Sequence, residues 1–230
     1  MRRILWIVKL VSLNVGMPTE IEVDGRTVLA GIFKQPVPSR VPMRTLHLEG
    51  DGQADLRAHG GPFKAVYAYP SEHYRFWTRE LPGTELPWGA FGENLTVTGC
   101  MEDAVYIGDR FRIGSAEVVV TQPRMPCYKL GIRLGRPDIV DRFLASGRSG
   151  FYCAVAREGD VGAGDEIEVV VRDPHRVSVA DIAGLFTLVD VPYDPAELRA
   201  RLRRAVEVPA LAEGLRRRLK GRLAEFGWDA

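Results

Sequence analysis

The fold is decided by Ser115-Ala116-Glu117-Val118-Val119-Val120-Thr121, a run whose β-branched residues favour an extended strand. Runs of the same kind occur at residues 28–33, 65–69 and 166–171, and glycine, proline or aspartate interrupts the chain between them. Many short strands, separated by turns and accompanied by few helices, are typical of a β-barrel. The sequence therefore predicts a mainly β fold whose strands close on themselves.

The first part of the chain also contains a repeated sequence pattern and two predicted helices. Residues 105–113 resemble residues 161–169, because each stretch contains a Gly-Asp turn followed by an alternating strand. One helix is predicted over residues 70–81, since proline is favoured in the first turn of a helix. A second helix is predicted between Asp138 and Gly147.

The character of the chain changes after Asp173-Pro174, where the strand patterns stop. We therefore predict two domains, a β-barrel domain over residues 1–173 and a small three-helix domain over residues 174–230. The three helices are expected to begin at three start signals: Ser178 with an acid at Asp181, Asp194-Pro195, and Pro209, the last helix running to Phe226.

The charge balance excludes a general attraction to nucleic acid or to a membrane. The chain has 31 basic and 30 acidic residues and a net charge of +1, so an anion must be bound by a local arrangement. Arginine runs at residues 203–204 and 216–218 are compatible with a basic patch for nucleic acid. Neighbouring glutamates favour the alternative, that these arginines lie on the solvated faces of amphipathic helices. We expect no nucleic-acid partner and no membrane.

The cysteines and the first residues indicate a cytoplasmic protein. The three cysteines make no disulfide framework and cannot provide the four ligands of an iron–sulfur cluster. The apolar run at residues 4–8 is interrupted by Lys9, so it predicts a first strand rather than a signal peptide. No run reaches the roughly 18 apolar residues of a membrane span.

Cys127 is the cysteine most suited to chemistry. It lies in a stiff loop after a strand, directly after Pro126, and is flanked by Arg124 and Lys129. Nearby positive charge favours the thiolate, the form that binds soft metals. The alternative is a small buried hydrophobic residue, which is the interpretation we favour for Cys153 in its apolar strand. Cys100 lies in a turn, and its sequence surroundings do not indicate a functional role.

Two further segments carry polar groups beside turns. The turn at His59-Gly60-Gly61-Pro62 offers backbone N–H groups that can cradle a phosphate, and His59 and Lys64 add donors and charge. An ordinary tight turn is the alternative. Asn94 lies in a turn that enters a strand, where its amide could contact the edge of a heterocycle or cap the turn.

Together these segments resemble the MOSC family, named for the C-terminal domain of molybdenum-cofactor sulfurase, and within it the bacterial YiiM-like branch. The resemblance covers nearly the whole chain, and one departure is Phe63, where the family pattern usually carries aspartate. It rests on the following stretches: residues 12–16, 48–55, 59–62, 69–74 and 91–95, and Gln122-Pro123-Arg124-x-Pro126-Cys127-x-Lys129-Leu130.

The resemblance implies a strongly twisted MOSC β-barrel that holds a molybdenum cofactor, Mo-molybdopterin. It implies that a thiolate at Cys127 completes the molybdenum coordination and is the catalytic residue. For the remainder of the cofactor, local donors are expected to bind the phosphate and the pterin. These candidates are His59, Gly60, Gly61, Lys64 and Arg124 for the phosphate and Asn94 for the pterin.

The activity implied by the family is the removal of oxygen from small N-hydroxylated compounds such as hydroxylamines, amidoximes and hydroxylaminopurines. Electrons are then expected from a separate, flavin-containing reductase, because the chain shows no Gly-x-Gly-x-x-Gly after a strand and too few cysteines for a cluster. Two alternatives remain open: a carrier that holds the cofactor without turnover, and a ligand-binding barrel in which Cys127 is incidental.

Overall fold

The fold is that of a computed structural model, which describes residues 8–23, 25–54, 60–187 and 194–228. Its strands are β1 (Lys9–Val15), β2 (Thr19–Val23), β3 (Arg26–Ala30), β4 (Gln35–Pro36), β5 (Val41–Met43), β6 (Val66–Pro70), β7 (Leu95–Thr98), β8 (Arg110–Ile113), β9 (Ala116–Pro123), β10 (Phe151–Arg157), β11 (Gly159–Val161) and β12 (Ile167–Val171). Its helices are α1 (Glu72–Glu80), α2 (Tyr128–Leu134), α3 (Ile139–Ser146), α4 (Val179–Thr187), α5 (Pro195–Glu207) and α6 (Glu213–Glu225), with a 3₁₀ turn at Pro62–Lys64.

The described strands form one large sheet and two small ones. The large sheet has eight strands in the order β12-β8-β9-β10-β6-β7-β1-β4. Its neighbouring strands are antiparallel except for β6 and β7, which are parallel because the chain crosses over between them through α1. β2 pairs with β3 in a separate hairpin, and β5 pairs with β11.

The sheet is not closed into a barrel, so that prediction is wrong. Its edge strands are β12 and β4, and β4 extends the sheet beyond β1 by pairing with Asn14 and Val15. The two ends do approach each other: Leu10 donates its N–H to Asp165 O at 2.9 Å and accepts the Gly164 N–H at 2.7 Å. These bonds join β1 mainly to the loop before β12 rather than to β12 itself, and the result is a curled, open sheet.

The resemblance between residues 105–113 and 161–169 is confirmed as a repeated turn. Asp109 accepts the backbone N–H of Tyr106 at 3.1 Å, and Asp165 accepts that of Gly162 at 2.9 Å, in both cases from three residues earlier. The strands that follow these turns, β8 and β12, pair with each other at one edge of the sheet.

The two helices predicted in the first part of the chain are confirmed as α1 and α3. α2, which directly follows Cys127, was not predicted, because it has only seven residues and its N-cap position carries no Ser, Thr, Asp or Asn. None of the helices in the described parts of the chain combines the length and the apolar character that crossing a membrane requires.

Two of the three C-terminal helices begin where the sequence predicts. Ser178 and Asp181 exchange hydrogen bonds of 2.9 Å as a capping box for α4, and Asp194 caps α5. α6 begins at Glu213 rather than at Pro209, because the backbone at residue 212 turns toward the sheet and donates its N–H to Thr121 O at 3.2 Å.

The C-terminal helices share a hydrophobic core with the sheet. Leu202, Leu219 and Leu223 are fully buried and belong to the same cluster as Val120 and Phe151 of the strands. The independence of residues 174–230 as a domain therefore stays a prediction. The first strand expected at residues 4–8 lies almost entirely outside the described residues.

A second, aromatic core packs on the face of the sheet that carries α1 and α3. The rings of Trp77 and Phe143 stack with centroids 5.8 Å apart, and the Trp77 indole N–H donates to the Tyr69 hydroxyl at 2.6 Å. Tyr67 lies in the same cluster, one position along the chain from the residues of β6 that face the other core. This rigid cluster supports the wall of the cavity described next.

Candidate functional site

A cavity of about 700 Å³, counting its open mouth, lies where β9 ends. Loops at residues 31–34, 51–54 and 92–94 complete its wall. Four of the residues predicted from the sequence line it together: Lys64, Asn94, Arg124 and Cys127.

Cys127 is the cysteine that reaches the cavity. It follows β9 and directly precedes α2, and it is partly exposed. The other two cysteines are buried in the core of the sheet, where burial raises the pKa of Cys100 to about 12 and raises that of Cys153 further. Neither lines the cavity in the described part of the chain, so the choice of Cys127 agrees with the geometry.

Arg124 places a positive charge inside the cavity wall. Its side chain is 5% exposed, and its Nη1 atom is buried without a hydrogen-bond partner among the described residues. Burial opposes its charge, but Tyr67, Tyr152 and Cys127 raise the pKa of Arg124 above its usual value. A buried guanidinium donor without a partner is energetically costly, and an anion bound in the cavity would satisfy it.

Lys64 contributes a second cation at the end of the 3₁₀ turn. Burial lowers the pKa of Lys64, and its ammonium lies 6.0 Å from the ring centroid of Tyr152. The neighbouring Gly61 has a φ of 87°, a backbone conformation that favours glycine. Its N–H donates at 3.1 Å to Gln53, which itself lines the cavity. Gly60 and Gly61 do not line the cavity in the described part of the chain, and His59 lies outside the described residues.

Asn94 lines the cavity, but its side chain makes its hydrogen bonds to other groups of the protein. Its amide donates to Asp51 at 2.9 Å and to Asn14 O at 3.3 Å, and its oxygen accepts the Tyr67 N–H at 3.1 Å. The side chain therefore joins three segments of the wall. In this arrangement it positions Asp51.

Sequence reasoning missed two charged residues of the wall, Lys34 and Asp51. Each is 6% exposed, and the Lys34 ammonium donates to the Asp51 carboxylate at 2.5 Å. A lysine directly after the apolar run at residues 28–33 was the signal that could have indicated Lys34. Asp51 lies in one of the stretches that carry the family resemblance, but nothing local distinguishes it from a turn residue.

Among the described residues that line the cavity, cations outnumber carboxylates. The cations are Lys34, Lys64, Arg124 and Lys129, and the carboxylate in this part of the lining is that of Asp51. Among the described residues, no group of three or more His, Cys, Asp and Glu side chains is placed to hold a metal ion. The residues present thus fit a metal whose other ligands belong to an anionic cofactor, with one thiolate from Cys127.

Comparisons with known proteins identify the family of the chain. The model of the MOSC domain family matches residues 55–168, and that family is associated with molybdenum-cofactor binding. Protein YiiM of Escherichia coli is 37% identical over 200 residues, which cover 86% of this chain and 88% of that protein. A protein of Gibberella moniliformis named Reductase is 32% identical over 161 residues, which cover 69% of this chain and 28% of that protein.

The fold agrees as well. The crystal structure of YiiM from Geobacillus stearothermophilus matches with a TM-score of 0.77 and 33% identity, covering 94% of this chain and 99% of that one. The match includes the mixed, sheet-rich architecture with its several helices. The chain belongs to the MOSC domain family, in its YiiM-like branch.

Proposed function

We propose that this chain is a molybdenum-cofactor-dependent reductase that removes oxygen from small N-hydroxylated compounds. The observation that carries the proposal is the pairing, in one cavity, of the Cys127 thiol with the buried, partly unsatisfied guanidinium of Arg124. This combination suits a ligand that brings both a soft metal and negative charge. Membership of the MOSC family and the relative named Reductase support an oxidoreductase.

Each residue of the cavity has a distinct role in this proposal. Cys127 supplies the thiolate ligand to molybdenum, and Arg124 and Lys64 bind the anionic parts of the cofactor. Asn94 holds the wall in place, and the turn at His59, Gly60 and Gly61 remains the proposed phosphate cradle. When bound, the cofactor would supply the two-electron redox chemistry that cleavage of an N–O bond requires.

The remaining wall favours flat, polar substrates. The rings of Tyr67 and Tyr152 line the cavity with centroids 5.1 Å apart, and both hydroxyls stay protonated because burial raises their pKa values. Aromatic faces beside amide and carboxylate groups suit an N-hydroxylated heterocycle or an amidoxime better than a bulky lipophilic compound.

We also propose a separate electron donor, a flavin-containing reductase. The proposal follows from the sequence, which lacks a dinucleotide fingerprint and has too few cysteines for a four-ligand cluster. The isolated protein is therefore expected not to oxidise NADH or NADPH, even when it is loaded with cofactor.

The test is an assay of protein purified from a host that makes the cofactor. Molybdenum is measured first, and oxidation of a reduced viologen is then followed with an N-hydroxylated purine, benzamidoxime and a sulfoxide. We expect stoichiometric molybdenum and turnover of the two N-hydroxylated compounds with little turnover of the sulfoxide. Loaded protein that reduces none of them would be a cofactor carrier, and protein that never acquires molybdenum would contradict the proposal altogether.

A further inference from the structure

Lys34 is a buried cation in the cavity wall whose position is tightly fixed. A Cβ atom on Gly16 would lie 2.6 Å from Phe33 O, and one on Gly89 would lie 3.0 Å from Lys34 O. The backbone at residues 33–34 therefore passes between two glycines that leave it little room. Such close packing fixes the backbone from which the Lys34 side chain extends.

The partner of Lys34 is held just as firmly. Asp51 accepts the Lys34 ammonium at 2.5 Å, the Gly16 N–H at 2.9 Å and the Asn94 amide at 2.9 Å. Its two oxygens are thus engaged by three donors. Asp51 therefore serves to orient Lys34 and has little capacity left to accept a hydrogen bond from a substrate.

The ammonium of Lys34 retains donors for a ligand. A lysine carries three N–H groups, and Asp51 accepts one of them. Within the described ranges, this nitrogen makes no other hydrogen bond. Lys34 lines the same cavity as Cys127, so its remaining donors are available to a molecule bound there.

Burial lowers the pKa of Lys34, although Asp51, its closest partner, and Glu93 oppose the shift. Among the described residues, these two carboxyl groups are the charged groups that shift its pKa. Among the other titratable groups of the cavity, burial also lowers the pKa of Lys64, but the proposed function assigns Lys64 to the anionic parts of the cofactor. Arg124 stays charged at neutral pH, and burial raises the pKa values of Tyr67 and Tyr152. A proton donor works best when its pKa lies near the working pH.

Reduction of an N-hydroxylated compound requires protons inside this cavity. The N–O bond breaks, two electrons arrive from the external reductant, one proton goes to the nitrogen and one to the oxygen, which leaves as water. We propose that the ammonium of Lys34, oriented by Asp51, donates the proton that turns the departing oxygen into water. The neutral amine then recovers a proton from solvent at the cavity mouth. This inference rests on the proposed function.

The test compares wild-type protein with Lys34→Arg, which keeps the positive charge but does not release a proton near neutral pH. Exposed Lys220→Arg is the matched control. Molybdenum content, thermal midpoint, KM and kcat are measured with reduced viologen and benzamidoxime from about pH 6 to about pH 10. Because the acid form of Lys34 is the active one, wild-type kcat should fall as the pH rises through its depressed pKa.

We expect Lys34→Arg to keep its molybdenum and its KM, to lose kcat by about 100-fold, and to lose the alkaline decline. Wild-type kcat and an unchanged alkaline decline in this variant would overturn the inference. So would a loss of activity that matches a loss of molybdenum, because Lys34 would then act by holding the cofactor.

A second measurement keeps the inference testable if Lys34→Arg does not fold. The wild-type kcat is then compared in H2O and D2O over the same pH range, and the absence of both an alkaline decline and a solvent isotope effect would overturn the inference. Failure of the proposed function looks different, because loaded wild-type protein would then reduce no N-hydroxylated compound at any pH.

Discussion

The guanidinium carbon of Arg124 lies 5.1 Å from the ring centroid of Tyr67. The Tyr67 hydroxyl donates to Ser149 O at 2.8 Å, so the ring is fixed and in turn fixes the arginine. Cation–π contacts at this site and with Phe143, at 5.2 Å, stabilise the charge without using its hydrogen-bond donors. The protein thus positions a buried cation and leaves one of its donors for an anion.

This arrangement predicts that Arg124→Ala and Lys64→Ala weaken retention of the cofactor. Each removes a charge-assisted hydrogen bond of about 1.5–3 kcal/mol, or about 10- to 100-fold in affinity. Molybdenum remaining after extended dialysis measures the effect, and exposed Arg217→Ala is the control. Unchanged retention in both cavity variants would show that the cofactor lies elsewhere.

A second prediction concerns the thiolate ligand. Cys127→Ala should lose most of its molybdenum and its activity, because no other cysteine reaches the cavity in the described part of the chain. Cys100→Ala and Cys153→Ala should retain their molybdenum, although each leaves a small void in the core. Metal analysis of the three purified variants is the measurement. Full metal and full activity in Cys127→Ala would contradict the proposed function.

A third prediction tests the cysteine environments without the cofactor. In native protein lacking molybdenum, iodoacetamide at about pH 8 should modify Cys127 alone, since the thiolate is the reactive form. Burial protects the other two thiols and raises the pKa of Cys100 to about 12. Mass spectrometry counts the modified sites before and after denaturation. Modification of Cys100 or Cys153 in the folded protein would show that the core opens at that site.

A fourth prediction concerns the support behind Arg124. Buried Glu102 accepts the Gly150 N–H at 2.7 Å and contacts the His73 ring nitrogen at 2.9 Å. Glu102→Ala leaves these buried groups without a partner and should lower the free energy of unfolding by about 2–3 kcal/mol. Urea unfolding measures this change in the free energy of unfolding, and exposed Glu225→Ala is the control. Because Gly150 O accepts the Arg124 N–H at 3.4 Å, the variant should also retain less cofactor.

The parts of the fold that local sequence determines were predictable. The run of β-branched residues predicts β9, and the pair of Ser178 and Asp181 predicts the start of α4. Asp109 and Asp165 predict the two repeated turns. Each depends on contacts within a few residues. That the sheet stays open was not predictable from the sequence. The pairing of β4 beyond β1 depends on which segments meet in the folded protein.

The site shows the same division. Cys127 was identified because prolines and basic residues surround it in the sequence, and in the structure it is the cysteine that lines the cavity. Lys34 and Asp51 were missed because the ion pair joins positions 17 residues apart. The part that Asn94 plays in the wall likewise depends on distant partners, Asn14 and Asp51, which no local pattern reveals.

The core shared by the sheet and the C-terminal helices has a consequence for biosynthesis. Leu219 and Leu223 complete a cluster that begins with Leu10 and Leu13, so the core cannot close until nearly the whole described chain has left the ribosome. The cavity wall is built from the same strands. Under the proposed function, the cofactor is therefore expected to enter after the chain has left the ribosome, and a chain shortened before α6 is expected to lack a fully packed core.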